Sequence, residues 1–120
     1  MPILVYGIIT CSTCKKALQW LKTNNIDHTW IDSRSTPPSK EDISSWVESL
    51  GNKAMRNTSG GSYRALSDVA KTTWTDAQWI DAFTADPMLL KRPLFVRNGT
   101  AVAVGFTEND PNFVAKLRAN

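Results

Sequence analysis

Histidine is nearly absent from this 120-residue chain, which has His28 alone, and cysteine occurs only at Cys11 and Cys14. A zinc site built on that pair would need two further ligands, so no metal is expected. Long apolar runs are missing too: none approaches the roughly 20 residues that span a bilayer. Nor does the start, Met1-Pro2-Ile3-Leu4-Val5, carry the basic stretch and small-residue cleavage site of a secretory leader. The expectation is a cytoplasmic protein with no membrane contact. There is no repeat period and no low-complexity tract. The net charge is only +3, and its surplus is scattered. No run of Lys and Arg reads as a nucleic-acid surface, so direct nucleic-acid binding is not expected. The weak positive excess favours anionic small molecules over cationic ones. The length suits one domain over residues 1–120, with a monomer as the default.

What is present reads as alternating elements. Ile3 to Tyr6 is a short apolar run expected as a buried strand, with Gly7 to Thr10 as the turn after it. Ser12 to about Asn24 reads as a helix whose apolar face is Ala17, Leu18, Trp20 and Leu21. His28 to Asp32 is a second strand, and strand-helix-strand at this spacing implies a parallel pair. Ser35-Thr36-Pro37-Pro38 is a linker. Ser39 with Asp42 forms a candidate capping box ahead of Ile43, Trp46, Val47 and Leu50, with Gly51 as C-cap. Asn57 to Ser62 reads as a loop and Tyr63 to Ala70 as a short helix. Thr75 with Gln78 caps another helix, carrying Trp79, Ile80 and Phe83, and Asp86-Pro87 opens a last short turn. Asn98-Gly99 between Leu94–Arg97 and Thr100–Gly105 is the signature of a type I′ hairpin. Asp110-Pro111 starts a final helix with Phe113, Val114 and Leu117.

The order β-α-β, several helices, then β-β-α is an α/β arrangement. Without the middle helices it is the thioredoxin-like fold, with a mixed four-stranded sheet. The thioredoxin-like lobe is expected over about residues 1–35 and 91–120, with an inserted helical lobe over about 36–90.

Cys11-Ser12-Thr13-Cys14 lies between a strand and a helix. The first helical turn leaves N–H groups unpaired and carries partial positive charge. A thiolate placed there is stabilised, which lowers the thiol pKa from about 8.5. Cys14, three residues on, can reach Cys11, and Lys15 and Lys16 add positive charge. In a reducing compartment such a pair is more often catalytic, redox-sensing or metal-binding than a structural staple. Arg92-Pro93 precedes the hairpin. If the fold is thioredoxin-like, Pro93 is cis and Arg92 sits beside Cys11, where its planar fork could hold an oxyanion. Arg64 and the loop at Asn57 to Ser62 are weaker candidates, and His28 reads as an ordinary strand-edge residue.

These residues resemble the glutaredoxin-like arsenate reductase family, which also contains Spx-type transcription regulators and YffB-type proteins. The resemblance runs through Tyr6-Gly7-Ile8, Thr13-Cys14-Lys15-Lys16-Ala17, Asp32-Ser33-Arg34, Pro37-Pro38, Asn57-Thr58-Ser59-Gly60, Tyr63-Arg64, Lys91-Arg92-Pro93-Leu94 and Val104-Gly105-Phe106. It implies a nucleophile at Cys11 and Arg92 on the anion, with Arg64 less surely aligned; Cys14, within reach of Cys11, is expected to be the resolving thiol. Thr10, Ser12, Thr13, Lys15, Arg64 and Pro93 would bind substrate around them. Glutathione, or a glutaredoxin or thioredoxin, would supply electrons, and no cofactor would be bound. Two departures stand out. The family's reductases carry His-Asn-Pro before the cysteine, where this chain has Gly7-Ile8-Ile9-Thr10, and they lack a cysteine at the position of Cys14. The second departure resembles the Spx branch, in which the pair is a disulfide switch controlling RNA polymerase binding. Tyr6-Gly7-Ile8 and Lys15-Lys16-Ala17 lean to the YffB branch, thought to be glutathione-dependent thiol reductases. The expected function is thus a thiol-dependent reductase, with a redox-switched polymerase-binding regulator as the alternative.

Overall fold

In the computed structural model, which describes residues 2–118, four strands form one sheet in the order β2-β1-β3-β4. β1 (Ile3–Gly7) pairs in parallel with β2 (His28–Asp32) and antiparallel with β3 (Leu94–Arg97), which pairs antiparallel with β4 (Thr100–Val104). The helix α1 (Ser12–Thr23) connects the parallel pair. Five helical pieces lie between β2 and β3: α2 (Lys40–Leu50), α3 (Gly61–Arg64), α4 (Asp68–Thr73), α5 (Asp76–Ala85) and a single 3-10 turn at Pro87–Leu89. α6 (Pro111–Arg118) follows β4.

Period-2 alternation along the central strands divides the apolar side chains between two cores. Ile3 and Val5 of β1 and Phe95 of β3 face Ala17 and Leu21 of α1 and Phe113 and Leu117 of α6. Leu4, Tyr6, Leu94 and Val96 face the opposite way, toward Ile43, Trp46 and Val47 of α2 and Trp79 and Phe83 of α5. β4 would break this pattern if it were regular, because Ala101 and Ala103 are two apart yet belong to different cores. A bulge resolves the conflict: Phe95 pairs with Ala103 but Val96 with Ala101, which leaves Val102 as the extra residue. The middle helices therefore share their core with the sheet.

The hairpin turn has Asn98 at φ 52° and Gly99 at φ 79°, both left-handed as a type I′ turn requires. Thr75 and Gln78 make a complete capping box. Ser39 supplies only half of one: its hydroxyl accepts from the Asp42 N–H at 3.1 Å, with no reciprocal bond from the shorter acid. Some boundaries differ from expectation. The segment expected as one helix over Tyr63 to Ala70 is two, because the Ser67 hydroxyl accepts from the Ala70 N–H at 3.1 Å and starts α4 afresh. β1 runs through Gly7 rather than turning there, and β4 stops before Gly105, whose φ is +81°. The last carbonyls of α6 are held from the sheet, where Arg97 donates to Lys116 O at 2.7 Å and also to Leu117 O. No helix among the described residues is long and apolar enough to cross a membrane.

Candidate active site

β1 delivers the chain to a short loop that turns into α1. The Cys11 N–H donates to Ile8 O at 3.0 Å, and Cys11 O accepts from the Lys15 N–H at 3.1 Å, which opens the helix. Cys11 is thus the N-cap residue, with extended backbone at φ −80° and ψ 120°. Its sulfur makes no full capping hydrogen bond as a thiol. Its acidity is decided by opposing effects. Partial burial pushes the pKa up; the Cys14 N–H and thiol, the Thr13 N–H and the Arg92 side chain all favour the thiolate, and together they hold Cys11 below the ordinary thiol range.

Cys14 sits one turn in and is wholly buried. Burial pushes its pKa up to about 11, and the proton it shares toward the Cys11 sulfur, with the repulsion of that thiolate, adds to the rise. The Ile8 N–H and the Arg92 charge work against these effects and are outweighed. Two neighbouring cysteines therefore differ in acidity by environment alone. The partly buried one ionises first, and the fully buried one keeps its proton and donates to it. Both are free thiols in this structure.

Arg92 arrives on the chain segment entering β3, with a cis bond to Pro93. One guanidinium nitrogen, Nη1, donates to Leu90 O at 3.3 Å. Its Nε is buried without a partner, which leaves donor capacity unused. Beside it is a cleft of about 330 Å³ lined by Cys11, Thr13, Lys91 and Arg92, together with Asn57, Ser59 and Val104 to Thr107. Two cations and no carboxylate line it, which suits an anion.

The structure brings Cys11, Cys14, Thr13 and Arg92 together, and Pro93, next to Arg92 in the chain, is fully buried. Thr10, Ser12 and Lys15 are exposed and do not line the cleft, and Arg64, exposed at the end of α3, is also outside it. The loop before Arg64 takes part instead, through Asn57 and Ser59. It is anchored by the Asn57 N–H to Leu89 O at 2.8 Å and the Asn57 side-chain amide to Met88 O at 3.3 Å. Lys91, Phe106 and Thr107 are further lining residues; the first two lie in the motifs that carry the resemblance, but none was expected at the site. For Lys91 a signal existed in its adjacency to Arg92. Its stem crosses Gly105, where a Cβ would lie 3.0 Å from Lys91 Cε. Among the described residues no group of three or more His, Cys, Asp or Glu side chains could hold a metal ion.

Comparison with known proteins gives a consistent answer. The ArsC family model matches residues 6–112. An uncharacterized protein YusI of Bacillus subtilis is 35% identical over 91% of this chain and 94% of its own length. An arsenate reductase of Escherichia coli is 28% identical over 78% of this chain and 67% of its own. A global transcriptional regulator Spx of Lactiplantibacillus plantarum is 26% identical over 90% and 82%. Among solved structures, a putative ArsC family related protein from Bacteroides fragilis superposes with a TM-score of 0.83 at 33% identity, covering 98% of each chain.

Proposed function

The chain belongs to the ArsC family, and from that premise we propose that it is a thiol-dependent reductase acting on a disulfide, a glutathione adduct or an oxyanion such as arsenate. Cys11 is the nucleophile and Cys14 the resolving thiol. With a disulfide R–S–S–R′, the Cys11 thiolate attacks one sulfur, the S–S bond breaks, and R′–S⁻ leaves. Cys14 then loses its proton and attacks the Cys11 sulfur. R–S⁻ departs, and the Cys11–Cys14 disulfide carries the oxidation. Two equivalents of glutathione, or a glutaredoxin or thioredoxin dithiol, return it to the reduced state. Arg92 and Lys91 hold the anionic part of the substrate in the cleft.

The observation carrying this reading is the division of acidity between two touching thiols, Cys11 lowered and Cys14 raised, at an anion-suited cleft. Its test begins with the rate of Cys11 alkylation against pH in Cys14→Ser. A midpoint well below about 8.5 is expected; one at or above that value removes the nucleophile. Turnover of hydroxyethyl disulfide, a glutathione mixed disulfide and arsenate, with glutathione as reductant, then identifies the substrate. Loss of turnover in Cys11→Ser is expected, and no turnover with any of them rejects the enzyme.

The Spx relative favours a second reading, in which the same pair is a switch for RNA polymerase binding. Pulldown with polymerase in the oxidised and reduced states separates the two. Binding in one state alone supports the switch, and binding in neither rejects it.

A further inference from the structure

Gly7 closes β1 directly against the thiol pair, and it has nowhere to move. It pairs with Asp32 of β2, and its carbonyl accepts from the Ser33 N–H at 2.8 Å. A Cβ on Gly7 would lie 2.6 Å from Cys14 Sγ and 2.8 Å from Cη2 of Trp30. Neither separation is possible between non-bonded atoms. Gly7 has no need of left-handed backbone, because it continues a regular strand. The missing side chain is a matter of space: the buried sulfur of Cys14 rests on the bare backbone of the strand. The sulfur touched there is the one that donates to Cys11 and must later attack it.

We infer that Gly7 is a positioning residue for the thiol pair, and that its lack of a side chain holds Cys14 Sγ within reach of Cys11. The inference rests on the redox role proposed above for the pair, and it adds a residue outside the cysteine motif to the machinery. Filling the space with a methyl group displaces either the sulfur or the Trp30 ring. Displacing the sulfur weakens the hydrogen bond that favours the Cys11 thiolate and misaligns the attack that closes the disulfide. Reaction geometry is that sensitive: a 1 Å misplacement can cost about 100-fold in rate.

The test is Gly7→Ala, read in two ways: the pH midpoint of Cys11 alkylation, and the rate at which a mixed disulfide on Cys11, formed with 5-thio-2-nitrobenzoate, is resolved by Cys14. The midpoint is expected to rise and resolution to slow by about tenfold or more. In a Cys14→Ala background the same substitution is expected to leave the midpoint unmoved, because the sulfur it would strike is gone. Values within twofold of the parent in both measurements overturn the inference. So does an equal shift in the Cys14→Ala background, which would make Gly7 a general packing residue. Should Gly7→Ala fail to fold, the pair Gly7→Ala/Trp30→Leu relieves the ring contact and is read the same way. If that pair also fails to fold, Cys14→Ala is added to it. Recovery of folding then locates the conflict at the sulfur, and continued failure overturns the inference. The parent's own alkylation midpoint is measured first, so failure of the proposed function shows there, before Gly7 is altered.

Discussion

Raising the pH separates the two cysteines energetically. An unfolded thiol titrates at about 8.5. Cys11 is held below that in the fold, so its ionisation adds stability as pH climbs from its folded pKa to about 8.5. Cys14 is pushed up to about 11, so the folded state keeps a proton that the unfolded chain releases. Stability is therefore lost from about 8.5 upward, until pH passes the folded value. Urea unfolding of the reduced protein should show this decline, and Cys14→Ala should flatten it relative to the parent. An equal decline in both would mean that Cys14 does not titrate as a buried thiol. At this scale the sequence reveals groups whose chemistry is carried by their own type and neighbours, namely Cys11, Cys14 and Arg92. It hides Gly7 and Lys91, whose parts are defined through space. Gly7 matters for the atom it lacks opposite a sulfur seven residues away, and Lys91 for a stem laid across Gly105. Arg64, the weaker arginine candidate in the sequence, ends a four-residue helix outside the cleft.

Helix starts are the best-specified features at the scale of elements, because a cap is a local agreement among four residues. Thr75 accepts from the Gln78 N–H at 3.3 Å, and the Gln78 side chain accepts from the Thr75 N–H at 2.8 Å. Thr75→Ala should cost about 1 kcal/mol, seen as a lower thermal midpoint with no change in Cys11 alkylation. A shift in that alkylation would mean that α5 is coupled to the thiol site. The same local logic made the Asn98-Gly99 hairpin legible. It failed between Gly61 and Thr73, where two short helices have too few turns to show an apolar period and are separated by Ala65, Leu66 and the capping Ser67. Their packing is instead decided at a distance: Arg56 lies 4.0 Å over the Trp79 ring and donates to Lys71 O at 3.4 Å, tying α4 to α5.

For the whole molecule, the sheet belongs to both cores at once. Neighbouring residues of β3, Phe95 and Val96, point into opposite ones. Neither face can come apart without exposing the back of the other, so we propose that residues 1–120 unfold as one unit. Phe83→Ala on one face and Phe95→Ala on the other should each cost about 3–5 kcal/mol, and each should leave a single urea transition. Tryptophan emission and far-ultraviolet circular dichroism should coincide through it. Two separated transitions would divide the chain into independent parts. One consequence reaches beyond stability. The space beside Gly7 is filled jointly by the Cys14 sulfur and the Trp30 ring, which puts a fluorophore beside the sulfur proposed to enter a disulfide. Disulfides quench indole emission, so oxidation of the pair is expected to dim Trp30, a gauge readable without a dye.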